Sequence, residues 1–302
     1  METLGVVLAV AAALGNAIGS VWQRMASRHH DSSLRAWEGV VAMLRRPAWT
    51  AGIAAHVVGF VLQGVALGMA PITVVQPLLI AELPFTLILS ALLLSTPMGR
   101  RAWWAVAAVA GGVAVFLYCL DPHGGNPQAT PTSSWVIGSA VVVAVIAALV
   151  VVARRSRGQR RALLFGAATG LTYGYNAALL TGVAAAYAGG LPGVLTAWQT
   201  YGVLVGGTLS FVFLQQALQA GDLIAAQPAI TLANPLLALA WGFVIFSESI
   251  DVSLWTVGAV AGAVAVVVGT IVLTREAVPA VAPGAGDDVT PGPRPREGRG
   301  RR

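Results

Sequence analysis

Nine runs of apolar residues alternate with short polar connectors along the chain: Thr3–Gln23, Trp49–Leu67, Ile72–Ser95, Trp103–Leu120, Trp135–Val152, Ala162–Tyr187, Ala197–Leu218, Leu223–Phe246 and Leu254–Leu273. About 20 apolar residues cross a hydrocarbon core of roughly 30 Å. In lipid, such a run satisfies its backbone only as a helix or within a closed barrel. The pattern predicts an all-α polytopic membrane protein with nine transmembrane helices. Leu34, Trp37, Val41 and Leu44 fall at helical spacing in a charged stretch, which predicts an amphipathic surface helix over 31–46, with Asp31, Ser32 or Ser33 at its start. The stretch from residue 275 to 302 is rich in Pro, Gly and charge and cannot bury a core, so a disordered tail is expected there.

Charge sets the orientation. All eighteen basic residues are arginine. Arg24, Arg28, Arg35, Arg45 and Arg46 follow the first run, Arg100 and Arg101 the third, Arg154, Arg155, Arg157, Arg160 and Arg161 the fifth, and Arg275 and the tail arginines the ninth; the intervening connectors have none. Basic loops stay cytoplasmic. The N-terminus is therefore expected outside and the C-terminus inside, and the net charge of +6 expresses topology rather than nucleic-acid binding. The first run is not a cleaved leader, because its basic residues come after the apolar stretch. The single cysteine, Cys119, permits no intrachain disulfide and no thiolate metal cluster. The lack of lysine and the Ala, Val, Gly and Arg bias fit a GC-rich bacterial genome, which points to the plasma membrane.

The chain also matches itself. At an offset of 151 residues, Ala66-Leu67, Gln76-Pro77, Pro84, Trp104 and Gly111 fall on Ala217-Leu218, Gln227-Pro228, Pro235, Trp255 and Gly262. Gly15 and Gly19 have counterparts in Gly170 and Gly174, both at the GxxxG spacing that lets helix backbones approach. Helices one to four thus resemble helices six to nine. The expected organisation is a first repeat over 1–120, an outer loop, linker helix and basic loop over 121–160, a second repeat over 161–274, and the tail. One linker helix inverts the second repeat, and inverted repeats build a central site near the midplane. Two fused halves make a monomer sufficient and leave a dimer open.

Glu82 is an ionisable group near the middle of the third run with no basic residue at its depth, a costly placement that marks a functional site by default. Binding a proton whose release drives transport, or drawing a cation into a cavity, suits it; a protonated structural carboxyl is the plainer alternative. At about 1.5 Å per residue, Gln63 shares its depth on the neighbouring antiparallel helix, while Asn16 and His56 share a level roughly 10 Å nearer the cytoplasm. Gln76 and Gln227 each precede a proline, and Pro77, Pro84, Pro228 and Pro235 remove N–H donors, freeing the carbonyls of Thr73, Ile80, Ile224 and Thr231 and kinking the helices. Tyr173, Asn176 and Asn234 add polar groups in the second half, as do Tyr175, Gln199 and Tyr201. Gln215, Gln216, Gln219 and Asp222 sit at the cytoplasmic boundary. No Walker loop, HExxH, nucleophile elbow or His/Asp/Glu cluster occurs. Neither enzymatic chemistry nor a bound cofactor or metal is expected, and gradient-driven transport or passive conduction remains.

The segments "ALGMAPITVVQPLL" from Ala66 and "ALQAGDLIAAQPAITLANPLLALAWGFVIFSE" from Ala217 to Glu248 resemble the EamA-like repeat of the drug/metabolite transporter superfamily, including its acidic helix end at Glu248. The four-plus-one-plus-four layout is most similar to the NIPA-type magnesium transporters. Where those carry a Glu and an Asn, this chain has Phe60 and Gln63, and Gln76 replaces their Thr. The resemblance implies this fold and membrane transport and leaves the substrate open; taken with the polar residues above, the leading expectation is secondary transport of a small organic solute, with Glu82 as coupling carboxyl and Gln63, Gln76, Gln227 and Asn234 lining the site. Carriage of magnesium or another divalent cation is the alternative, and a scaffold or lipid-handling protein is a third reading.

Overall fold

The computed structural model describes residues 2–27, 46–94, 98–220, 223–250 and 255–277, with side chains at all but 27, 223–225 and 275–277. The first half contains α1 (Glu2–Ser27), α2 (Pro47–Leu67), α3 (Ile72–Leu79), α4 (Glu82–Leu94) and α5 (Arg100–Leu120). The linker is α6 (Thr132–Arg155). The second half contains α7 (Gly158–Ala186), the short α8 (Gly190–Thr196), α9 (Trp198–Ala220), α10 (Leu223–Val244) and α11 (Thr256–Ala277). Among the described residues nine spans are long and apolar enough to cross a membrane, with α3 and α4 forming one of them and α7 running on into α8. The chain is an all-α, multi-pass membrane protein.

Helix ends follow local chemistry. Pro47 opens α2, where its missing N–H costs nothing. Arg46 donates from Nη1 to the Ala26 carbonyl at 2.6 Å and so satisfies the C-terminal end of α1. The described arginines, Arg24, Arg46, Arg100, Arg101, Arg154, Arg155, Arg157, Arg160 and Arg161, flank the same ends of their helices, called here the basic end. The expected amphipathic helix over 31–46 lies outside the described residues apart from Arg46, and so does the tail beyond Ala277, which itself still belongs to α11.

The helices pair as the repeat requires. The most extensive packing is α1 on α2, α7 on α9, α7 on α10, and α5 on α11, which joins the two halves. In that last seam a Cβ on Gly112 would lie 2.8 Å from the Gly262 carbonyl, and one on Gly262 would lie 2.7 Å from that of Gly112. Gly111, the residue that aligns with Gly262 in the repeat, has no neighbour within 4 Å. Cys119 fills space here, since a Cβ on Gly258 would meet its Sγ at 2.7 Å.

The linker α6 docks on the second half through aromatic rings at the Arg-free end. Trp135 is buried and stands 5.5 Å, centroid to centroid, from each of Trp198, Trp241 and Phe246. One turn along, Ser139 accepts a 2.7 Å hydrogen bond from the Tyr175 hydroxyl. Ser139→Ala is expected to cost about 1 kcal/mol, the net worth of such a bond, read as a lowered unfolding temperature in detergent.

Two expectations need correction. Residues 121–134 are more than a polar connector: β1 (His123–Gly124) pairs antiparallel with β2 (Glu248–Ser249), and Asn126 donates its N–H to the Phe246 carbonyl at 3.1 Å. The four prolines also act unequally. Of the two spans that carry these prolines only the third is interrupted, at Ile80 and Ala81 between Pro77 and Pro84, whereas α10 continues through Pro228 and Pro235. Around the interruption the backbone turns through i→i+3 bonds: Ile80 N–H to Pro77, Ala81 N–H to Leu78, and Leu83 N–H to Ile80. The last takes up the Ile80 carbonyl that Pro84 leaves without a partner.

Candidate functional site

The interruption in the third span sets Glu82 at the first residue of α4, turned toward α1. Its carboxyl hydrogen-bonds the side chains of Asn16 and Ser20, which lie one turn apart on α1. The sequence reading placed Gln63 at the level of Glu82 and Asn16 well below it. The apolar run stops at Gln23, but α1 continues to Ser27, so Asn16 stands about 16 Å from the basic end and Glu82, counted from Leu94, about 18 Å. Gln63 lines the same cavity about a turn further from that end. Ser20 was missed, although its i+4 spacing from Asn16 was legible.

A cavity of about 790 Å³ surrounds this carboxyl and is lined from both halves. Asn16, His56, Gln63, Gln76 and Glu82 border it from the first half, and Tyr173, Asn176, Gln227 and Asn234 from the second. All nine sequence candidates therefore converge. Phe60, Phe211 and Ser210 also line it; Phe60 and Phe211 stand 151 residues apart, at equivalent positions of the repeat. Tyr173 lies close enough to sense the charge of Glu82. The wall is mixed, with amide groups, aromatic faces and one carboxyl, which suits a small solute with both polar and apolar parts.

Glycine positions fix the asparagines. A Cβ on Gly59 of α2 would collide with Asn16 Oδ1, and one on Gly206 of α9 with Asn176 Oδ1. Each half thus has one asparagine whose oxygen is seated on a glycine of the next long helix. A Cβ on Gly19 would meet the His56 ring at 2.7 Å, so His56 is packed against α1 as well as bordering the cavity.

Other candidates go elsewhere. Tyr175 bonds Ser139, and Tyr201 donates to the Leu195 carbonyl at 2.9 Å on the exposed surface. Gln199 packs beside Gly182. Gln216 accepts from Arg161 at 2.9 Å, consistent with its boundary position, and the Arg161 guanidinium lies 5.6 Å over the Phe165 ring. Asp222 lies outside the described residues. No three His, Cys, Asp or Glu side chains come together among the described residues.

Glu248, beyond the end of α10, has a role the sequence did not disclose. It is buried, 6% exposed, and its carboxylate caps α3 from a distance: Ile72 donates its N–H to Oε1 at 2.9 Å and Thr73 to Oε2 at 3.2 Å. Pro71 in the N-cap position has no side chain able to do this. Burial pushes the Glu248 carboxyl above the usual carboxylate range, and the donors from Thr73 and Ile72 pull it part of the way back.

A protein of Corynebacterium glutamicum described as uncharacterized is 33% identical over 278 residues, spanning 90% of this chain and 95% of its own length. The chain belongs to that protein's family. The alignment is wide enough to take in most of the chain rather than one span or one half. No family model matches the chain, and no solved structure matches it.

Proposed function

We propose that this protein is a secondary transporter of the drug/metabolite type that moves a small organic solute across the plasma membrane, with Glu82 as the proton-coupling carboxyl. The observation that carries the reading is the convergence of nine polar side chains from two homologous halves on one cavity containing a single carboxyl. By the positive-inside rule the basic end faces the cytoplasm. The cavity lining reaches Gln23 of α1 and Gln227 of α10, each about 6 Å from the basic end of its helix. Toward the Arg-free end it stops below a packed apolar layer that includes Leu67, Ile72, Val75, Trp241 and Phe246. This arrangement corresponds to the inward-facing state of an alternating-access cycle. Among the described residues Glu82 is the one carboxyl in the lining, the low end of what magnesium takes, and the mixed amide and aromatic wall favours an organic solute.

The test is uptake into proteoliposomes of purified protein, across a panel of organic solutes and magnesium, with and without an imposed pH gradient. Uptake of an organic solute is expected to require the gradient. Magnesium uptake that ignores the gradient would replace this reading with a NIPA-like one.

A further inference from the structure

The third span is held by two carboxyls at different places. Glu82 ties the start of α4 to α1, and Glu248 ties the start of α3 to the end of α10. Between them the backbone passes Ile80 and Ala81 through i→i+3 turns flanked by Pro77 and Pro84, leaving α3 as an eight-residue segment with its own attachment. Pro77 and Pro84 each remove one ladder bond beside the interruption, whereas the equally spaced Pro228 and Pro235 leave α10 continuous.

The Glu248 side chain occupies a slot that only glycine permits. A Cβ on Gly242 would strike Oε2, and a Cβ on Gly125, at φ +81°, would lie 2.6 Å from Cγ. Gly242 belongs to α10 and Gly125 to the turn after β1, and the β1–β2 bridge pins that turn over the carboxylate. The α3 segment is the lid of the Arg-free end. On its packed side Ile72, Thr73 and Val75 are fully buried, and on its other side Gln76 and Leu79 face the cavity. The N-terminal dipole of α3 and two charge-assisted bonds converge on the one carboxylate. In the sequence, 151 residues before Glu248 stands Pro97, which has no carboxylate, so the first repeat has no equivalent residue for the other end.

We propose that Glu248 is the latch of the Arg-free gate: its carboxylate holds α3 shut over the cavity, and its release lets α3 swing about Ile80–Ala81 while α4 stays on α1. The proposal rests on the transporter reading for its place in a cycle, but its test needs no transported solute. In a Cys119→Ser background, Val75→Cys is labelled in proteoliposomes with a membrane-impermeant maleimide added on the side of the β1–β2 bridge, and Ala178→Cys, buried in α7, serves as the packing control. With Glu248 intact both sites should be protected. In Glu248→Gln, Val75→Cys should react at least about tenfold faster, the population shift expected from losing one charge-assisted hydrogen bond, and Gly242→Ala, whose methyl would press on both the carboxylate and, at 2.7 Å, Thr73 Cγ2 of α3, should act in the same direction. Ala178→Cys should stay protected. Three results would each overturn the latch: rapid labelling of Val75→Cys with Glu248 intact, unchanged labelling in both variants, or joint release of Val75→Cys and Ala178→Cys, which would make Glu248 a general support of the fold. A transport assay that fails for every solute leaves these labelling ratios as they are.

Discussion

Glu82→Gln is expected to lower gradient-driven solute flux by at least about a hundredfold, the scale of removing a positioned proton donor and acceptor. The amide has the shape of the carboxyl and still accepts hydrogen bonds from Asn16 and Ser20, so the cavity keeps its form. What it cannot do is bind and release a proton. Because the replacement also removes the cost of holding an ionisable group out of water, stability should change by less than about 1 kcal/mol, with a shift toward greater stability as the expected sign. Flux and unfolding temperature measured on the same preparation separate the two effects. Solute counterflow at equal pH, which needs no net proton movement, should survive. If gradient-driven flux is unchanged, Glu82 is a structural carboxyl and the energy source lies elsewhere.

Much of the site was legible because of the solvent. A bilayer leaves a polar side chain few places to go, so Glu82, Gln63, Gln76, Asn176, Gln227 and Asn234 had to turn inward, and the structure places them on one cavity. The nine spans were equally legible, since the arginine clusters confirm each run by alternation. Exact partners were not. Extending α1 by four residues moved Asn16 up to Glu82, an error of about 6 Å from a helix end alone. The close approach of Gly112 to Gly262 was not legible either, since the repeat aligns Gly111 with Gly262 as equivalent positions and does not say which glycine faces the other half. The cap that Glu248 places on α3 joins residues 176 apart, beyond the reach of any local pattern. The GxxxG pairs matched in sequence but not in target. Gly15 and Gly19 pack against α2, whereas Gly170 and Gly174 pack against α10.

That difference in target leads to the largest expected effect on stability. Gly166, Gly170 and Gly174 recur every fourth residue along α7, and Cβ atoms there would lie 2.7, 2.5 and 2.5 Å from the carbonyls of Ala226, Ile230 and Asn234, which recur every fourth residue along α10. Two ridges in one register touch backbone to backbone. A backbone carbonyl cannot move aside as the end of a side chain can, so a methyl group at either site must push the helices apart. Gly170→Ala with Gly174→Ala is expected to cost about 2–6 kcal/mol, at about 1–3 for each overpacked site, and to lower the unfolding temperature by on the order of 10 °C. Gly111→Ala has nothing within 4 Å and should be neutral or gain up to about 1 kcal/mol from helix propensity, so the contrast between the two isolates packing from backbone entropy. An unfolding temperature unmoved by the double substitution would mean that α7 and α10 do not approach this closely. The double variant should also lose transport, because α10 carries Gln227 and Asn234 into the cavity. In the first half the matching contact, α1 with α4, runs instead through the polar trio Asn16, Ser20 and Glu82. One wall of the cavity is therefore fixed by sterics, and the other is held by side-chain hydrogen bonds.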